Sequence, residues 1–115
     1  VKLAIFDIDG VGLPIAYHLQ EEGQDVWVGQ VSRWEKLRMQ HPEEDDARHK
    51  RLALYDGLLE RKWDADKLLS FLLGQPRSTR DDWFVFCDFN YLWAYGVKLK
   101  SAGYRGLLPT QMDFD

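Results

Sequence analysis

Lys2-Leu3-Ala4-Ile5-Phe6-Asp7-Ile8-Asp9-Gly10-Val11-Gly12-Leu13-Pro14 is the stretch that decides the fold. Its apolar run is closed by the turn cluster Asp7-Ile8-Asp9-Gly10, as a parallel strand covered on both faces closes. Pro14 stands where a first helical turn tolerates it, because the amide it lacks would have no partner there. Ile15, Ala16 and Leu19 recur at helical spacing, and Gly23 offers a left-handed stop, so a helix is predicted over 13–22. Val26-Trp27-Val28 follows too soon for anything but a second strand, laid beside the first through a right-handed crossover. The opening is a βαβ unit.

The same grammar returns near the other end. Trp83-Phe84-Val85-Phe86-Cys87 is an apolar run ended by Asp88-Phe89-Asn90, which predicts a second long buried strand. Asn90 is placed to cap a helix whose Leu92, Tyr95, Leu99 and Ala102 share one face, with Gly103 as its stop and Gly106-Leu107-Leu108 as a last strand.

Between these units, 31–40 mixes Trp34, Leu37 and Met39 with charges and suits a short helix or an irregular excursion. After Pro42, acids at 43–46 precede Arg48, Lys50 and Arg51, the order a helix dipole favours, so a helix running to Asp56 and stopped by Gly57 is predicted. Leu58-Leu59 is read as a short third strand. Asp64 caps a helix through Leu68, Phe71 and Leu72 that ends at Gly74, and 75–80 is read as a surface loop. Alternating apolar runs and capped helices predict an α/β, three-layer, Rossmann-like domain with a mainly parallel sheet of four or five strands.

Composition sets the class. The chain has 115 residues, 45% hydrophobic and 30% charged, enough to bury a single core and too short for a second. Its net charge of −4, with Lys and Arg spread rather than striped, excludes an electrostatic footprint for nucleic acid. No apolar run approaches a membrane span, no cationic leader precedes one, and the single cysteine, Cys87, has no partner for an internal disulfide. A soluble, cytoplasmic protein is expected. Cys87 reads as a small core residue and His18, His41 and His49 as solvated, without the spacing of a zinc set. Five tryptophans exceed what so small a core needs, so one or two are assigned to an interface.

Phe6-Asp7-Ile8-Asp9-Gly10-Val11 resembles the first motif of haloacid dehalogenase-type phosphatases. That resemblance implies Asp7 as nucleophile and magnesium ligand and Asp9 as general acid, since a carboxylate attacks phosphorus only when a cation offsets the anionic field. The family also needs a Ser or Thr and an acidic pair at later strand ends. Here Asp81-Asp82 precede their strand and Ser78-Thr79 lie in the loop before it. Two carboxylates in an exposed turn account for the same letters. Gly10-Val11-Gly12 is also a partial nucleotide fingerprint, but Ile15 holds the third glycine position and Gly29-Gln30 stand where a ribose-binding acid would end the second strand. A noncatalytic nucleotide-binding or interaction module is thus a further alternative.

From the opening βαβ unit through Asp82-Trp83-Phe84-Val85-Phe86 to Ala102-Gly103-Tyr104-Arg105-Gly106-Leu107-Leu108-Pro109-Thr110, the chain resembles the N-terminal, pre-ATP-grasp domain of phosphoribosylamine-glycine ligase-like proteins. The resemblance implies residues 1–110 as that domain and 111–115 as the start of a linker to ATP-grasp lobes of the same polypeptide. It further implies a carboxylate-amine ligase that uses ATP and magnesium in the intact protein, with no cofactor held by this part and no turnover by it alone. The family's Arg-Glu-His-Ala and Gly-Pro-Glu steps are replaced here by Val11-Gly12-Leu13-Pro14 and Cys87-Asp88-Phe89.

Ligands of open parallel sheets sit beyond the carboxyl ends of the strands, where the first helix also opens. The expected crevice is therefore lined by Asp7, Asp9, Gly10, Gly12, Asp88 and Asn90, with Asp88 also readable as a turn acid and Asn90 as a helix cap. Converging carboxylates repel a bare phosphate and hold an amine, a hydroxyl pair or a hydrated magnesium, so the expected partner is a small amine-bearing or polyhydroxylated acceptor. Self-association as a homodimer through Trp34, Leu108 and Phe114 is a further expectation.

Overall fold

The computed structural model describes residues 1–8, 10, 12–31, 55–87 and 92–108. The elements are β1 (Lys2–Asp7), α1 (Leu13–Glu21), β2 (Asp25–Gln30), β3 (Lys62–Asp64), α2 (Ala65–Leu73), a 3-10 helix (Arg77–Asp82), β4 (Trp83–Cys87), α3 (Trp93–Ser101) and β5 (Arg105–Leu107). The strands form one five-stranded sheet in the order β3-β2-β1-β4-β5. Every neighbouring pair runs parallel. The three-layer, Rossmann-like α/β arrangement read from the sequence is the one the chain adopts.

Alternation along the strands sorts side chains into two layers. Ala4 and Phe6 of β1, Trp27 of β2 and Trp83, Val85 and Cys87 of β4 meet Leu68, Leu69, Leu72, Leu92 and Leu99 from α2 and α3. Ile5, Val26 and Val28 point the other way and meet Leu13 and Ala16 of α1 together with Leu59. Right-handed crossovers explain the division, since α1 joins β1 to β2 on one face while α2 joins β3 to β4 and α3 joins β4 to β5 on the other. No described segment covers the α1 face over β4 and β5. A trough of about 360 Å³ lies there between Ile15 and Leu19 of α1 and Leu3, Ile5, Phe84 and Phe86 of the sheet.

Local signals act as expected at several ends. Pro14 lies in the first turn of α1. Gly23 and Gly103 have φ of 89° and 93° after their helices, a left-handed backbone that glycine adopts without a Cβ clash. The Asp64 side chain accepts the Asp66 amide at the start of α2, and Gly74 caps its end. Cys87 is buried in the core, and His18 is exposed beside Glu22. Trp27 and Trp83 are core residues, with Trp63 packed at their edge.

Other expectations need correction. The third strand is Lys62–Asp64 rather than Leu58-Leu59, because Leu59 is a buried turn residue beneath the α1 layer and the backbone pairs with β2 only from Lys62 onward. The stretch read as a loop over 75–80 contains the 3-10 helix, whose Thr79 donates both its amide and its hydroxyl to the Pro76 carbonyl. The cap position of α3 is Leu92, with no side-chain bond to the helix start. Of the helix expected after Pro42 and running to Asp56, only Tyr55 and Asp56 are described, and they lie in a turn that continues through Gly57 rather than in a helix. The rest of it, the helix expected over 31–40 beyond Val31, and Trp34, His41, His49, Pro109, Thr110 and Phe114 lie outside the described residues.

Candidate functional site

β1 and β4 are adjacent and Phe6 pairs with Cys87, so the carboxyl ends of the two strands stand side by side. The chain leaves β1 towards β2 and leaves β4 towards β5. Connections that diverge in this way open a crevice at the sheet edge. Asp7 and Gly10, Gly12 beyond it lie at this edge. Asp9, Asp88 and Asn90 lie outside the described residues.

Asp7 is completely buried. Its Oδ1 accepts the Gly12 amide at 2.7 Å. Its Oδ2 accepts the Gly10 amide at 2.9 Å and the Gln30 side-chain amide at 3.2 Å. Gln30 reaches it because β2 pairs with β1 in a register that sets Gln30 opposite Asp7. The Asp7 carbonyl in turn accepts the Val31 amide at 2.9 Å, which ties the exit of β2 to the end of β1. The exposed turn acid expected at position 7 is thus an interior acceptor whose two oxygens hold the loop into α1. A carboxylate accepts at several lone-pair positions, and these bonds are the charge-assisted, stronger kind.

Gly10 makes this loop conformation accessible with φ of 82°. Gly12 is the residue from which α1 starts, and its carbonyl accepts the Ala16 amide at 3.0 Å. The Leu13 amide turns back to the Gly10 carbonyl at 3.3 Å, and Pro14 has no amide to offer.

After β4 the next described residue is Leu92, at the start of α3. Leu92 is buried there. The Tyr95 ring lies 5.4 Å from that of Phe6, and its hydroxyl donates to Asp66 Oδ1 at 2.9 Å, which joins α3 to α2. Burial first, and then this bond and the negative charge of Asp66, raise the Tyr95 phenol above its ordinary pKa.

Ser78, Thr79, Asp81 and Asp82 belong to the 3-10 helix that enters β4. They therefore sit at the amino edge of the sheet, a strand's length from Asp7. Among the described residues no three His, Cys, Asp or Glu side chains converge on a point suited to a metal ion. The described donors do not fit ATP either, because the glycine amides that would approach a phosphate are already bound to Asp7. No helix among the described residues is long and apolar enough to cross a membrane.

Sequence reasoning singled out Asp7, Gly10 and Gly12 but missed that they bond to one another, and it gave Gln30 no role. The available signal is an acid at the end of a first strand, glycines three and five residues on, and an amide side chain ending the second strand. No protein-family model, curated protein or solved structure matches the chain.

Proposed function

We propose that this chain is the substrate-side domain of a divergent ATP-grasp carboxylate-amine ligase of the phosphoribosylamine-glycine ligase-like kind. In this reading it holds an amine-bearing or polyhydroxylated acceptor at the carboxyl edge of its sheet and performs no chemistry alone. The supporting observation is the switch point between β1 and β4, whose carboxyl ends stand in register while their connections diverge. Asp7 shapes the loop in this reading. Contact with the acceptor falls to Asp9, Asp88 and Asn90, the acids and amide that follow β1 and β4 in sequence. ATP and magnesium would be held by the other lobes, where the γ-phosphoryl group would pass to a carboxylic acid with release of ADP. The acceptor nitrogen then attacks the acyl carbon, phosphate leaves, and the nitrogen loses a proton.

The magnesium-dependent phosphatase reading has less support. An attacking carboxylate needs an accessible oxygen, whereas Asp7 is fully buried and both its oxygens accept N–H groups. The hydroxyls and acids that would complete that site lie at the amino edge. A nucleotide-binding module loses support for a related reason, the engagement of the loop amides.

The test is turnover. The polypeptide that joins this domain to ATP-grasp lobes, given ATP, magnesium and a carboxylic acid, should sustain turnover to ADP only when an amine acceptor is also supplied. Residues 1–115 alone should form none, and should bind ATP no more tightly than millimolar by calorimetry. Hydrolysis of p-nitrophenyl phosphate by residues 1–115, lost in Asp7→Asn, would replace the ligase reading with the phosphatase. A reading frame that carries no ATP-grasp lobe would also contradict it.

A further inference from the structure

We infer that the Asp7 carboxylate is the resident anion of the β1–α1 loop: it occupies the amide positions a ligand phosphate would take and thereby makes the crevice select unphosphorylated ligands. This deepens the reading above, on which it rests for the existence of a crevice ligand, by naming the ligand class refused and the residue that refuses it.

A loop that leaves the first strand of a parallel sheet and opens a helix binds phosphate through glycine amides and the first helical N–H groups. Here the donors at Gly10, Gly12, Leu13 and Pro14 are spent or missing. The Gly10 and Gly12 amides go to the two oxygens of Asp7. The Leu13 amide goes to the Gly10 carbonyl, and Pro14 carries none. Asp7 is covalently part of β1, so its carboxylate competes at the effective concentration of a tethered group, which a dissolved anion does not match. A phosphate arriving beside it would also meet a like charge in a partly desolvated place.

Gln30 is the independent observation. A dinucleotide site ends its second strand in an acid for the ribose hydroxyls. In this sheet the register brings that position onto Asp7, where a second carboxylate would face the first without a proton between them. An amide side chain donates instead, at 3.2 Å. The same buried acid therefore accounts for the spent glycine amides and for the missing ribose acid.

The experiment compares wild type with Asp7→Gly, which empties the acceptor position. In 15N-labelled wild type, millimolar inorganic phosphate should leave the Gly10 and Gly12 amide resonances where chloride of equal ionic strength leaves them. In Asp7→Gly, formate or phosphate should shift both resonances and raise the melting temperature by about 4 °C or more over matched chloride. If the variant does not fold in chloride, recovery of the fold on adding formate supports the assignment, and no recovery in formate or phosphate overturns it. Phosphate-dependent shifts of Gly10 and Gly12 in the wild type also overturn it. None of these readouts involves ADP formation, so the ligase reading and the resident anion fail separately.

Discussion

The Gly12 amide donates to Oδ1 of Asp7 at 2.7 Å, across five residues and from the position that starts α1. With the Gly10 bond to Oδ2, this makes one strand-terminal acid the organiser of the loop at the crevice. Removing it leaves two amides and the Gln30 side chain without their acceptor. Asp7→Ala should cost about 3 kcal/mol in urea unfolding, since each orphaned buried donor costs about 1–3 kcal/mol and water that enters recovers part of this. A loss within about 0.5 kcal/mol would mean that the bonds do not organise the loop.

Gln30→Glu and Gln30→Ala separate donation from bulk. The glutamate sets a carboxylate against that of Asp7, whereas the alanine only withdraws a donor. At neutral pH, Gln30→Glu should therefore melt below Gln30→Ala. The reverse order would contradict an acceptor-only Asp7.

Arg80 joins the ends of two helices. Its guanidinium donates to Leu73 O at 3.0 Å, to Ala102 O at 2.6 Å and to Gln75 O, with the Tyr104 ring 5.5 Å away. These carbonyls lie at the ends of α2 and α3, where the helices lack donors of their own. Arg80→Ala should lose about 2 kcal/mol and speed hydrogen exchange at both helix ends. Arg80→Lys should recover less than half, because an ammonium does not reproduce the planar fork. Full recovery by lysine would reduce the contribution to charge alone.

Alkaline pH should destabilise the fold through two phenols. Burial raises Tyr104, with the Arg80 guanidinium opposing it, and burial with the Asp66 bond raises Tyr95. Both hold their protons longer when folded than when unfolded, so their contribution is complete below pH of about 10 and is lost as pH rises beyond it. Urea midpoints should fall above that pH, and Tyr95→Phe should flatten the fall. An equally steep fall in the variant would remove Tyr95 from the effect.

The elements legible in the sequence are those whose ends carry backbone chemistry of their own. Trp83–Cys87 is bounded by polar residues on both sides and is a strand over that whole run. Asp64 and Gly74 bracket α2 as cap and stop. β3 carries no such signal, because Lys62–Asp64 is a short, partly exposed edge strand defined by pairing to Val28–Gln30 rather than by an apolar pattern. Leu58-Leu59 is an apolar pair without a partner strand, Leu59 buried in a turn and Leu58 exposed. That Asp7, Gly10 and Gly12 gather at the carboxyl end of β1 is legible in the sequence, whereas the burial of Asp7 is not. Its partners are main-chain amides and a glutamine on another strand, which meet only once the sheet register is set.

The most direct measurement is a 15N chemical-shift map of wild-type residues 1–115 titrated with amine and polyol acceptors. Shifts are expected at Gly10, Gly12, Gln30 and Leu92, with Phe84 and Leu107 of the α1-face sheet surface and Ser78 to Asp82 of the amino edge unmoved. Shifts gathered in the apolar trough or at the amino edge, with the β1 and β4 carboxyl ends silent, would contradict a ligand crevice at those ends.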